Sequence, residues 1–166
     1  ANYLIKALLP AGLEDLLPPE AGQEEVLVRR LSDHFARYGY ERVKPPLLEF
    51  EGGLLDGIGA AVAEQTFRLM DPGSQRMMGL RADITPQVAR LAATRLRDAP
   101  RPLRLSYSGE VLRVKGAQLR PQREFRAIGV ELIGAAKAAM ADAEVILLAA
   151  ESISELGIKD LSVDIN

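Results

Sequence analysis

A chain of 166 residues, 48% hydrophobic and 27% charged, is long enough to close one domain around a core and has the composition of an ordinary globular protein. Its formal charge of −2 gives no general pull toward nucleic acid or an acidic membrane, so neither is expected as a partner. With no cysteine and a single histidine, disulfides, thiol nucleophiles and the common zinc sites are excluded, and no metal or cofactor is expected. The longest apolar run, residues 145–150, is far too short to span a membrane. The opening stretch ANYLIKALLPAGLEDLLPPEA has prolines and acids where a secretory leader would continue its apolar core, so a cytoplasmic protein is expected.

In chain order, Pro18-Pro19-Glu20 introduces a predicted helix with Leu27, Leu31, Phe35 and Tyr38 on one face and Gly39 as its stop. His34 lies near that face and has no second histidine or cysteine to work with, so it reads as a boundary residue packed on the core. Tyr40 to Val43 reads as a strand ended by Pro45-Pro46, followed by a short helical piece over 47–55. Gly52, Gly53, Gly57 and Gly59 predict a mobile loop. It lacks the Lys-Ser/Thr ending of a phosphate loop and argues only weakly for a nucleotide.

Strands over 65–70 and 77–80 flank Asp71-Pro72-Gly73-Ser74, a hairpin signal. The stretch RMMGLRADITPQVARL then turns from strand to helix. Asp83 or Thr85 suits the cap, Pro86 the first turn, and Val88, Leu91, Ala92 and Leu96 form an apolar stripe reaching about Arg97. Such a corner places Arg81, Asp83 and Thr85 beside unpaired backbone N–H groups, where a ligand can sit. Capping explains Asp83 and Thr85 as well as ligand binding does.

Leu103, Leu105 and Tyr107 alternate with Arg104, Ser106 and Ser108 in a two-faced strand. A second strand is expected from near Val111 until it breaks around Gly116, and a third over 124–133. In the third, Ile128, Val130 and Leu132 read as core. Phe125, Ala127, Gly129 and Glu131 read as a pocket floor or an exposed polar face. Between Arg101 and Arg126, six arginines and one lysine stand against Glu110 and Glu124, either a solvated basic hairpin or an anion site. A helix over 139–156 has Asp142 and Glu144 near its start and Gly157 after it, and a last strand is expected over 161–165. A buried strand with nothing beyond it implies the N-terminal part of a larger domain. The element order predicts an α+β fold, an antiparallel sheet flanked by helices, with no βαβ dinucleotide pattern.

From GLEDLLPPEA through LSVDIN the chain resembles the catalytic core of the class II aminoacyl-tRNA synthetases, the histidyl enzymes in particular. LSDHFARYGYERVKPP, residues 31–46, is similar to their first motif, which implies self-association through that region. SYSGEVLRVK and REFRAIGVELIG resemble the two strands of their second motif. The resemblance implies that the equivalent of Arg113 grips the α-phosphate of ATP, that of Phe125 stacks on adenine, and that of Glu131 lies in a histidine pocket.

Four departures from the synthetase pattern fall in one site. LRADIT replaces LRPEGT, which shortens the acid at Asp83; Lys115 stands where a glutamate belongs; Pro121 replaces a cationic ATP contact, although Arg123 is kept; and Ala127 replaces a pocket glutamine. Together they imply that adenylation has been abandoned, because such chemistry depends on placed charge. RMMGLRADITPQVAR and PPEAGQEEVLVRRL are similar to a non-catalytic branch of the family, the regulatory subunits of ATP phosphoribosyltransferase.

That branch implies a short-form catalytic subunit as partner in a hetero-octamer, with histidine as allosteric inhibitor. The residues expected to hold histidine are Asp83, Thr85, Arg113 and Glu131, with Arg81, Phe125, Ala127 and Arg123 lining the pocket. A buried Arg113–Glu131 ion pair is the structural alternative. Histidine is expected to order the glycine loop over 52–59. A divergent histidyl-tRNA synthetase fragment is the rival reading.

Overall fold

A computed structural model describes residues 8–57 and 59–164. Helix α1 (Glu20–Arg37) starts and stops where its proline and glycine signals place it. Gly39, at φ +82°, ends the helix, and the N–H groups of Tyr38 and Gly39 return to the carbonyls of Phe35 and Ala36. Its buried face is rotated from the expected one. Val28, Phe35 and the partly buried Leu31 face inward, while Leu27 and Tyr38 are 41% and 52% exposed. Spacings of three and four align 28, 31 and 35, which leaves 27 and 38 on the flanks. His34 is buried, with Nδ1 3.0 Å from a Glu155 carboxylate oxygen, as a core-packed histidine should be.

Strand β1 (Glu41–Arg42) follows, then β2 (Leu48–Phe50), α2 (Glu51–Leu55) and α3 (Ala60–Glu64). Here the sequence reading needs correction. Residues 48–50 pair antiparallel with a later strand rather than joining a helix, and Gly52 and Gly53 lie inside α2 rather than in a loop. The ladder and the burial of Leu54 override weak local preference. Strands β3 (Arg68–Met70) and β4 (Met77–Leu80) form the expected hairpin with Met70 opposite Met77. The Asp71 carboxylate accepts the N–H groups of Gly73 and Ser74 at 3.1 and 3.2 Å, which pins the turn.

Helix α4 (Thr85–Ala93) is shorter than its apolar stripe predicts. The Arg101 guanidinium donates to the carbonyls of Ala92, Leu96 and Ala99 and so satisfies the frayed end. Strand β5 (Leu103–Leu112) is continuous, so the two strands expected there are one; β6 (Glu124–Ile133) lies antiparallel along its whole length. Helix α5 (Ala138–Glu155) ends before Gly157, at φ +90°. Residues 161–164 form no strand, and position 165 lies outside the described residues.

The strands make two three-stranded sheets, β1-β5-β6 and β2-β4-β3. The second is antiparallel throughout, whereas β1 runs parallel to β5, so the α+β fold is not purely antiparallel. Helices cover both faces of the β1-β5-β6 sheet. On one, Ile84, Val88 and Ala92 pack on Leu103, Leu105 and Val111; on the other, Phe35, Tyr40 and Leu148 meet Ile128 and Val130. Phe125 and Ala127, expected on a pocket floor, pack against the first of these cores. No described helix is long and apolar enough to cross a membrane.

Candidate functional site

Strand β4 delivers the chain to Arg81, whose side chain is buried. It donates from Nε to the Glu110 carbonyl at 2.8 Å and from Nη1 to the Pro45 carbonyl at 3.1 Å and Gln87 Oε1 at 3.5 Å. A Cβ on Gly109 would overlap that guanidinium, so the glycine makes room for it. Burial lowers the Arg81 pKa, with Glu110 and Glu49 opposing. Arg81 is therefore a staple between β4, β5 and the loop after β1, with its donors turned to protein acceptors.

The staple fixes the corner that follows. Ala82 and Ile84 point into the core, so alternation turns Asp83 and Thr85 outward. The Asp83 carboxylate accepts the Thr85 N–H at 3.1 Å. This is a local Asx turn, and it leaves the second carboxylate oxygen available. The Thr85 hydroxyl donates to Glu131 Oε1 at 2.9 Å, and the Tyr107 hydroxyl sits 3.3 Å from Thr85 Oγ1 and 3.4 Å from Glu131 Oε1.

The β5–β6 register creates this meeting. Leu105 opposes Glu131 and Tyr107 opposes Gly129, so the tyrosine reaches its neighbour's carboxylate across a residue with no side chain. A Cβ on Gly129 would lie 2.6 Å from the Tyr107 oxygen. Tyr107 is the site residue that sequence reasoning missed. Its shared face with the position opposite Glu131, and the glycine across from it, were the available signal.

Electrostatically the cluster is acidic. Burial pushes the Glu131 carboxyl above its ordinary pKa; hydrogen bonds from Thr85 and Tyr107 pull it back, and the Asp83 charge adds to the rise. Burial also raises the Tyr107 hydroxyl. Among the described residues, no lysine or arginine forms an ion pair with Asp83 or Glu131. A cavity of about 380 Å³ opens beside them, bounded by Thr85, Glu131 and Ile133, by Ala89, Ala92 and Ala93 of α4, and by Arg101, whose guanidinium is engaged by the carbonyls at the end of that helix. A second hollow of about 600 Å³ adjoins it across Thr85, with Gly53, Asp56 and Gly57 on its wall. Such a site suits a small cation with several donors.

The other end of β6 is different. Phe125 is six residues from Glu131, roughly 20 Å at the ordinary rise of a strand. Arg113 holds its guanidinium carbon 5.0 Å from the Phe125 ring centre and Arg120 does so at 5.7 Å. Arg113 Nε also approaches the Ala82 carbonyl at 3.4 Å, so the arginine reaches back toward the Asp83 corner without pairing with Glu131. The alternative of a buried Arg113–Glu131 ion pair is thus not formed. Arg123 donates to the Ala11 carbonyl at 2.8 Å and lies 5.0 Å from the Phe67 ring, away from the cluster. Ala127 faces Gly109 across the ladder and packs on the core.

A family model described as histidyl-tRNA synthetase matches residues 12–166. The chain is 62% identical over 160 residues to a protein of Paramagnetospirillum magneticum named ATP phosphoribosyltransferase regulatory subunit, covering 96% of this chain and 42% of that one. It is 62% identical over 166 residues to one of the same name from Rhodospirillum rubrum, covering 100% and 43%. It thus spans about two fifths of the length of the curated relatives it matches.

Among solved structures, an ATP phosphoribosyltransferase regulatory subunit/histidyl-tRNA synthetase from Bacillus halodurans superposes with TM-score 0.79 at 32% identity, covering 93% of this chain and 39% of that one. The histidyl-tRNA synthetase of S. aureus superposes with TM-score 0.74 at 24% identity over 92% and 35%, a likeness of fold. The sequence match over nearly the whole chain and the shared class II architecture agree with the two-sheet topology and the corner at 81–85: the chain belongs to the histidyl-tRNA synthetase family.

Proposed function

We propose that this chain is the N-terminal part of a catalytic-core-like domain in a regulatory subunit of ATP phosphoribosyltransferase, which has no catalysis of its own and makes the catalytic chain of histidine biosynthesis responsive to histidine. The observation that carries the reading is the partly buried Thr85–Tyr107–Glu131 cluster with Asp83 beside it, acidic side chains that form no ion pair among the described residues. The names of the relatives at 62% identity point the same way.

In this reading a free amino acid supplies what the site lacks. Its ammonium and imidazole N–H donors meet Glu131 and Asp83, Thr85 and Tyr107 add neutral hydrogen bonds, and Arg113, reaching to the Ala82 carbonyl, meets the carboxylate. An arriving cation offsets the burial that disfavours the charge on Glu131. The segment 31–46 associates with a second copy, and the protein works in the cytoplasm beside the short-form catalytic subunit in a hetero-octamer. Histidine shifts that assembly only by binding one of its states more tightly. The hollow walled by Gly53 and Gly57 is where such a difference would be felt, through the packing of α2 rather than the ordering of a loop.

The test is to mix the full-length chain with a short-form catalytic subunit and follow phosphoribosyl transfer with and without histidine. Activation that histidine suppresses is expected. No activation and no response to histidine would discard the reading, and histidine-dependent ATP–pyrophosphate exchange by the chain alone would replace it with the synthetase.

A further inference from the structure

The β5–β6 ladder ends with Leu112 opposite Glu124, and the chain continues as an arm over residues 113–123. The arm is built rather than slack. Arg113 N–H donates to the Arg123 carbonyl at 2.7 Å, and Arg120 N–H closes on the Ala117 carbonyl at 3.0 Å. From one side, Gln65 accepts the N–H groups of Val114 and Lys115, both at 3.0 Å. From the other, Arg123 N–H donates to the Gly12 carbonyl at 2.8 Å. Gly116 packs so closely on Pro121 that a side chain there would collide with its backbone.

The sequence of the arm, RVKGAQLRPQR, carries cations at Arg113, Lys115, Arg120 and Arg123 and no acid. Elsewhere arginines find carboxylates: Arg68 with Glu51, Arg90 with Glu49, Arg104 with Glu144, Arg126 with Glu110. Among the described residues, no arm cation forms such a pair. Glu14 approaches the arm only through Gln122, at 3.5 Å. At the tip Leu119 is 99% exposed, the most solvated large apolar side chain described.

We propose that this arm is a docking finger, which inserts Leu119 into an apolar pocket rimmed by carboxylates on a protein partner, with Arg120 and Lys115 pairing at the rim. The partner is the catalytic chain, and in that choice the inference rests on the reading above. The apolar tip decides for a protein over a polyanion, since a phosphate backbone takes up cations but has no use for an isobutyl group. The anchors at Gln65 and Gly12 limit the ordering lost on binding.

Full-length chains carrying Leu119→Asp, or Lys115→Glu with Arg120→Glu, are titrated by calorimetry against the short-form catalytic subunit at low and high salt. Histidine affinity and far-UV circular dichroism serve as folding checks. Leu119→Asp is expected to weaken the complex at least about tenfold. The charge reversal should weaken it and flatten its salt dependence, with histidine affinity unchanged in both variants. Variants that bind as tightly as the wild type overturn the finger and leave the regulatory reading standing. A wild type that forms no complex overturns the reading and this partner with it. A short RNA duplex that binds the wild type and Leu119→Asp equally but not the charge reversal, with the protein complex unaffected, overturns the finger in favour of a nucleic acid.

Discussion

The two ends of strand β6 use the same ladder for opposite purposes. At the Glu131 end, three oxygen-bearing side chains converge on one another beside an open cavity, and no described lysine or arginine forms an ion pair with them. At the Phe125 end, Arg120 lies close to the chain's own aromatic ring, and Arg113 extends from that ring back to the Ala82 carbonyl at the corner. One end presents acceptors in search of a cation; the other holds cations against a ring belonging to the same protein. A single strand pair can therefore keep a small-molecule site at one end and a basic arm backed by an aromatic ring at the other, because roughly 20 Å of ladder separates the two.

The strongest way to break the contrast is through its shared support. Arg81→Ala leaves the buried carbonyls of Pro45 and Glu110 without their donor and frees the corner that aims Thr85 at Glu131. A loss of about 3 kcal/mol in unfolding free energy is expected, read from the urea midpoint. Gly129→Val should act on one end only. Its side chain meets the Tyr107 hydroxyl, so the ring must leave Glu131, with a stability loss of ~2 kcal/mol and no change in the packing around Phe125. A thermal scan and the tyrosine near-ultraviolet signal would show both.

A smaller effect concerns pH. Because the folded state raises the Glu131 pKa, the folded chain holds this proton more tightly than the unfolded one does. The group's contribution to stability is therefore present below the ordinary carboxylate range, near ~4.3, and lost as pH climbs through the raised value. Glu131→Gln should remove that slope, so wild type falls relative to the variant across this window and runs parallel to it above. Denaturation at a series of pH values from 3 to 8 would show parallel curves throughout if burial did not act on Glu131.

Much of this was legible in the residues. Asp71-Pro72-Gly73-Ser74 fixes its hairpin through one carboxylate, and Asp83 with Thr85 marks the corner, because both signals are local. Signals that depend on distant partners were harder to read. The alternation over 103–108 and the start expected near Val111 read as two strands, yet β5 is continuous, and Gly109 within it makes room for Arg81 from the corner after β4. Gly52 and Gly53 read as a loop, although burial of Leu54 holds them in a helix. Tyr107 read as one more residue of an alternating, two-faced strand. Only the register that sets it across from Gly129 shows that its hydroxyl reaches Glu131.

The measurement that bears most directly on the Glu131 end is calorimetric titration of the full-length chain with histidine, comparing wild type, Glu131→Gln and Arg120→Ala. The account predicts that Glu131→Gln weakens histidine binding at least about tenfold, the worth of one hydrogen bond to a charged group. Arg120→Ala, at the far end, should bind as the wild type does. Equal affinity for wild type and Glu131→Gln would contradict it.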